Sequence, residues 1–338
     1  MDAILLQILN GLDKGGAYAL IALGLTLTFG TLGVVNFAHG ALFMLGAFCV
    51  VGIQQVLTIS ERVRDPSITF FEAYIEQPYL VSWFGDTGAA IIDWVIPISL
   101  LAAIPIMLLV GILMERGLIR FFYKRPHAEQ ILVTFGLAIV LAEIVKAWFG
   151  ANPIPVQPPE IVRGSADIGA WLGIDANLSY PWWRLIYLVS SFVIIGGVFA
   201  FLNLTTYGMV VRAGMADRET VQLLGIDIQR RFTVVFGLAA VVAGLAGALY
   251  TGIQPPNYNI GMEFLVLSFV VVVVGGMGSL PGAVAAGFLL GMLQSFASLN
   301  EVKSLLPGID QVVIYLVAVI VLLTRPRGLL GRKGVMEA

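Results

Sequence analysis

Long apolar runs separated by short polar connections dominate the chain. Runs that span, or nearly span, a bilayer cover residues 15–35, 41–59, 89–114, 131–149, 185–204, 232–253, 264–277, 282–296 and 312–323. A helix needs about 20 residues to cross the hydrocarbon core, so the last three are short enough to be half-spans or tilted helices. The pattern predicts an all-α, polytopic helical membrane protein with eight or nine transmembrane helices, forming a single domain over residues 1–338. Composition agrees with it. Hydrophobic residues make up 59% of the chain and charged residues 12%, about half the charge of an ordinary soluble domain.

The polar connections give a topology. Arg116, Arg120, Lys124 and Arg125 follow the third run, Arg212, Arg218, Arg230 and Arg231 the fifth, and Arg325, Arg327, Arg332 and Lys333 the last. Alternating crossings put all twelve on one side, against Arg62, Arg64, Arg163, Arg184 and Lys303 on the other. The twelve mark the cytoplasmic side. If the first two runs both cross, the N-terminus is outside, and the piece before Gly15 can instead lie at the interface. Met1-Asp2-Ala3 lacks the basic start of a cleavable signal, so the first run is expected to remain in the mature protein.

Residues 207–231 form a charged island between two nearly uncharged runs. Its middle predicts a short helix, with Asp217 as N-cap, Glu219 in the first turn and Gly225 just beyond the end. Val221 and Leu224 fall on one face. Such a helix is a handle for another protein; an ordinary cytoplasmic loop is the alternative. On the outer side, residues 60–88 are acidic on balance and rich in aromatics, while 150–183 carry Pro153, Pro155, Pro158, Pro159 and Pro181, which favour extended or turning backbone. Both read either as surface decoration or as a docking face.

Two glycine-rich breaks interrupt the apolar pattern. One is the stretch 30–41, with Gly30, Gly33, Asn36, His39 and Gly40; the other is Gly275-Gly276-Met277-Gly278-Ser279-Leu280-Pro281-Gly282. Non-helical backbone at membrane depth must be buried in protein or line a polar cavity, and paired breaks point to a transporter's central site. Tight cytoplasmic hairpins are the alternative. Gly237, Ala239, Ala240, Ala243, Gly244, Ala246, Gly247 and Ala248 make residues 236–252 a span suited to close helix contact.

The remaining chemistry is sparse. Glu143 and Lys146 are placed to pair on one helix, and Glu263 and Asp310 lie near span starts, short of the buried carboxylates an ion-coupled carrier uses. No metal-ligand spacing, nucleotide-binding loop or nucleophile set is present. The lone Cys49 lies in an apolar run and reads as packing, and the net charge of −2 argues against nucleic acid. The chain carries no visible energy source of its own, which leaves an externally driven transporter subunit, a self-sufficient secondary carrier or channel, or a membrane enzyme whose catalytic set is missing.

Several motifs in order resemble one family. They are Asn10-Gly11-Leu12, Tyr18 to Thr26 leading into Asn36-Phe37-Ala38-His39-Gly40, Glu115-Arg116 with Tyr123-Lys124-Arg125-Pro126, Gly208-Met209 to Arg212-Ala213 with Leu224-Gly225-Ile226-Asp227, the Gly275 to Ala283 stretch, and Arg325-Pro326-Arg327-Gly328-Leu329-Leu330-Gly331. Together they resemble the permease subunits of bacterial branched-chain amino-acid ABC importers. A lysine is inserted in the Tyr-Arg-Pro pattern, and residues 60–88 are longer than the family's short connection.

The resemblance implies a passive permease without an ATPase site or cofactor, embedded in the lipid bilayer of the bacterial cytoplasmic (inner) membrane. Its implied partners are a second permease of the same family, two cytoplasmic ATPase subunits and an extracytoplasmic solute-binding protein. Residues 207–231 become the expected coupling loop, with Arg212, Asp217, Glu219, Leu224, Gly225 and Asp227 facing the ATPase. The expected solute is a branched-chain or other small hydrophobic amino acid. Candidates for the translocation pathway are Asn36 and His39, with backbone from Gly33, Gly40, Gly276 and Ser279. Asn36 and His39 also fit a helix-capping role.

Overall fold

The computed structural model describes residues 2–64, 74–123, 125–172, 178–216, 218–226 and 228–331. In chain order its helices are α1 (Asp2–Leu32), α2 (His39–Leu57), α3 (Tyr79–Phe84), α4 (Asp86–Asp93), α5 (Val95–Gly117), α6 (His127–Phe149), α7 (Ile168–Leu172), α8 (Trp182–Leu204), α9 (Thr206–Ala216), α10 (Arg218–Leu223), α11 (Ile228–Tyr250), α12 (Ile260–Gly275), α13 (Leu280–Ala297), α14 (Asn300–Leu305) and α15 (Ile309–Thr324). Strands β1 (Ser60–Arg64) and β2 (Tyr74–Pro78) pair antiparallel with Ser60 opposite Pro78; β3 (Ser165–Asp167) and β4 (Ser179–Pro181) pair with Ser165 opposite Pro181.

The chain is mostly helical, and among the described residues α2, α5, α6, α8, α11 and α13 are long and apolar enough to cross a membrane. Helices α12 and α15 are apolar but only 16 residues each. Helix α1 runs 31 residues without interruption, so the piece before Gly15 is one helix with the first apolar run.

Helix α11 is central: 83% of its apolar window is buried, against 17% for α6. Its small residues are the cause. Gly244 lies against the Met107 side chain of α5, and the backbones of α2 and α11 touch at Gly46 and Gly244 and at Phe43 and Gly247. Absent side chains there let main chains approach and gain dispersion contacts. A second close pair joins α1 and α13. Gly11 and Gly15 face Gly287 and Gly291, with the order of contacts reversed between the two helices, so they run antiparallel.

The connections at 60–88 and 150–183 are more structured than their polar sequence suggests. Residues 60–88 hold the β1–β2 hairpin, α3 and the start of α4. The prolines of 150–183 keep that segment largely extended apart from a single 3-10 turn at Glu160–Val162, α7 and the β3–β4 hairpin. Asp93 fastens the two together, accepting from the Glu160 amide at 2.9 Å and from Arg163 at 3.0 Å. The second hairpin anchors through Ala166, Ile168, Leu178 and Tyr180, which pack against Leu5, Leu6 and Leu9 of α1. Burial pushes the Tyr180 hydroxyl up to about 12, so it is neutral there.

Candidate functional site

Between α1 and α2, residues 33–38 are non-helical, and protein groups satisfy part of their backbone. The Phe37 amide donates to Thr134 Oγ1 at 3.0 Å, and the Ala38 amide donates to Asn36 Oδ1 at 3.0 Å. Thr134 lies seven residues into α6, about 10 Å from its start at 1.5 Å per residue. His39 packs on Gly24, eight residues before α1 ends. The break therefore doubles back along α1. Asn36 and His39 are fully buried, and Asn36 Nδ2 has no hydrogen-bond partner among the described residues. Asn36 thus closes a local turn onto Ala38, the N-cap residue of α2, and does not itself cap the helix; its amide nitrogen is left over.

Gly40, in the first turn of α2, meets Gly261, in the first turn of α12, so closely that a Cβ on Gly40 overlaps the Gly261 carbonyl oxygen. Two helix N-termini thus converge. Beside them lies a crevice of about 120 Å³ lined by Ala41, Met44, Ala138, Glu143, Tyr258 and Leu265, among others. Glu143 and Lys146 pair at 3.3 Å as their spacing predicts, and Lys146 sits 5.0 Å from the centre of the Tyr258 ring.

The second break is built differently. Helix α12 ends at Gly275, Gly276 takes φ 103°, and residues 325–331 cross over the end as a turned strap, in which Gly328 N donates to the Arg325 carbonyl at 2.8 Å. Leu329 N donates to the Val274 carbonyl at 2.8 Å and Leu330 N to that of Gly275 at 3.1 Å, satisfying two carbonyls left open by the helix terminus. A Cβ on Gly328, at φ 78°, would lie 2.5 Å from Gly276 N, so this crossing admits glycine alone. Ser279 Oγ accepts from Gly282 N at 3.2 Å and caps α13. Of the expected pathway residues, Asn36, His39 and Gly40 are together, Gly33 follows the end of α1, and Gly276 and Ser279 belong to this separate turn.

In the expected coupling segment, α10 spans Arg218–Leu223 and Gly225 has φ 78°, the geometry anticipated for a residue closing a short helix. Glu219 falls in α10; Asp217 and Asp227 lie outside the described residues. Two features differ from expectation. An additional helix, α9, precedes α10, and it is capped by Thr205, whose Oγ1 accepts from Gly208 N at 3.0 Å. Leu224 does not share a face with Val221, because α10 stops at Leu223: Val221 is 5% exposed and Leu224 73%. Arg212 is exposed and bonds Asn203 at 3.2 Å, and Arg231 stacks over the Tyr207 ring at 4.0 Å.

An apolar cluster fastens this segment to the bundle. Val221 packs in one group with Phe232 and Phe236 of α11, Met107 and Met114 of α5, and Val34, Ala38 and Leu42 from the break and α2. Contiguous packing thus runs from the segment to the break. Glu115, at the end of α5, went unweighed as a buried group. It is 1% exposed, and its two oxygens accept from Tyr123 at 2.6 Å and Thr233 at 2.9 Å. Both hydroxyls stand in for solvent around a buried carboxylate and tie α5, the following turn and α11 together. Nothing in the residues around Glu115 signals its burial. No group of three or more His, Cys, Asp or Glu poised for a metal exists among the described residues.

Comparison with known proteins bears on this arrangement as a whole. The model for the family described as branched-chain amino acid transport system / permease component matches residues 7–322. The high-affinity branched-chain amino acid transport system permease protein BraD of Pseudomonas aeruginosa is 28% identical over 332 residues, 96% of this chain and 95% of its own. LivH of Salmonella typhimurium, of the same description, is 26% identical over 331 residues, 96% and 95% of the two chains. The ribose import permease protein RbsC of Haemophilus influenzae is 24% identical over 243 residues, 70% and 72%. No solved structure matches the chain. With helices that suit a bilayer, two broken helix pairs and a family match over nearly its whole length, the chain belongs to the permease components of branched-chain amino acid transport systems.

Proposed function

We propose that this chain is the passive membrane subunit of an ATP-driven importer in the cytoplasmic membrane. It carries branched-chain or other small hydrophobic amino acids, together with a second permease, two cytoplasmic ATPase subunits and an extracytoplasmic binding protein. The observation that carries the reading is the apolar cluster joining Val221 of α10 to Val34, Ala38 and Leu42 at the first break. Well-packed interiors resist compression, so a push on the segment is delivered to the break instead of being absorbed.

The residues divide the work. Arg212, Asp217, Glu219, Leu224, Gly225 and Asp227 form the face that an ATPase grips, and exposed Leu223 and Leu224 give it apolar area to bury. Residues 33–38 make α2 a half-helix that starts inside the membrane, opposite the N-terminus of α12. The partial positive charge of two helix N-termini suits a carboxylate, and Met44, Ala138 and Leu265 of the adjacent crevice suit an aliphatic side chain. Asn36 and His39 support this point from behind, Gly33 and Gly40 allow the close turn, and Gly276 and Ser279 hold the inner end of α12. Amino-acid specificity is favoured because the branched-chain relatives align over 96% of the chain and the ribose permease over 70%.

The test is reconstitution. In proteoliposomes, leucine uptake against a gradient is expected only with ATP, the ATPases and the binding protein present. Arg212→Ala and Glu219→Ala are expected to lower uptake per ATP hydrolysed without loss of the subunit. Accumulation driven by an ion gradient through this chain alone would overturn the proposal in favour of a secondary carrier.

A further inference from the structure

We infer that the strap over the α12–α13 turn is a second cytoplasmic contact for the ATPase, separate from residues 207–231; the inference rests on the importer reading above. Three observations carry it. The strap is held by main chain at Val274 and Gly275 and by the interlocked glycines 276 and 328, so it moves with the end of α12. It carries Leu330, 52% exposed, and the exposed Arg325, and the turn it crosses carries Met277, 44% exposed. Two exposed apolar side chains and an exposed arginine on the cytoplasmic side are a poor surface for water and a good one for an apolar patch with an acidic edge on the ATPase.

The far end of α12 is where the contact acts. Gly261 abuts Gly40 in the first turn of α2, and α12 is a single helix of 16 residues between the two points. A displacement applied at the strap therefore reaches the convergence of the two helix N-termini along a rigid rod, through α12 and not through the α10 cluster. Two inputs on two half-helices bracket one crevice. The turn also touches the end of α1, where a Cβ on Gly278 would lie 3.8 Å from Gly30 Cα.

The experiment places a photoreactive phenylalanine analogue at position 277, at 330 and, as reference, at 224, in membranes containing the intact importer. Adducts with the ATPase subunit are expected from all three. An adduct from 224 with none from 277 or 330 overturns the strap contact alone; none from any position overturns the importer reading with it. Gly328→Ala, which unseats the strap, is expected to lower the adduct yield at 330 and to reduce uptake per ATP about fivefold to tenfold, with the ATPases still co-purifying. The double variant Met277→Asp/Leu330→Asp, which leaves the main-chain hold of the strap in place, is expected to show the same loss of coupling with the ATPases still co-purifying. Uptake per ATP within about twofold of the unaltered importer in that variant overturns the inference.

Discussion

The two glycine-rich breaks look alike on paper and solve different problems. Residues 33–38 lie alongside α1 and take their partners from side chains, Thr134 for the Phe37 amide and Asn36 for the Ala38 amide. The Gly275–Ser279 turn takes its partners from main chain, through the strap, and uses Ser279 only to start α13. Side-chain partners leave a polar atom unspent, as at Asn36 Nδ2, whereas the main-chain strap satisfies two carbonyls of the helix end. A break built from side chains can be re-formed in a second arrangement at low cost, because each hydrogen bond has a few rotatable bonds behind it. One built from interlocked backbone moves as a block. Under the importer proposal the first would act as the gate and the second as the handle.

That contrast sets the expected sizes of perturbation. The largest falls where the two helix N-termini meet: Gly40→Val drives a branched side chain into the Gly261 carbonyl, and overpacking of about 1–3 kcal/mol or more should abolish recovery of folded permease by size-exclusion chromatography in detergent. Next is Thr134→Ala, which strands a buried amide at a cost of about 1–3 kcal/mol. It should lower the thermal midpoint measured in detergent, and Thr134→Ser should restore it. If Thr134→Ala is as stable as the unaltered chain, side-chain support of the first break is not what holds it. Ser279→Ala removes one helix cap, and about 1 kcal/mol is expected there, with uptake retained. The smallest effect separates capping from solute contact. Asn36→Ser keeps an acceptor for the Ala38 amide but loses Nδ2, so unchanged KM for leucine uptake assigns Asn36 to the backbone, and a raised KM assigns it to the pathway.

Much of the molecule was legible before any coordinates. Most runs marked their helices to within about four residues, because hydrocarbon excludes charge and unpaired backbone whatever the fold, whereas α1 begins at Asp2, well before its run, and the run 89–114 covers parts of both α4 and α5. Density of glycine and alanine in 236–252 marked the central helix, since only close packing repays so many small residues. The short helix closing at Gly225 was readable for a local reason, a left-handed residue that glycine adopts freely.

What the sequence alone settled is therefore the class of molecule and its layout: a multi-pass helical membrane protein of a branched-chain amino acid permease family, with polar segments at 60–88, 150–183 and 207–231. Those properties depend on local composition and on the solvent on each side. Only the tertiary structure decided which residues share a site. It separated Gly276 and Ser279 from Asn36 and His39, buried Glu115 between two hydroxyls, put α9 ahead of α10, and laid residues 325–331 across the end of α12. Such pairings join positions far apart in the chain, and the sequence carries no local signal of them. They are selected by which helices can approach through glycine, and that is a property of the assembled bundle.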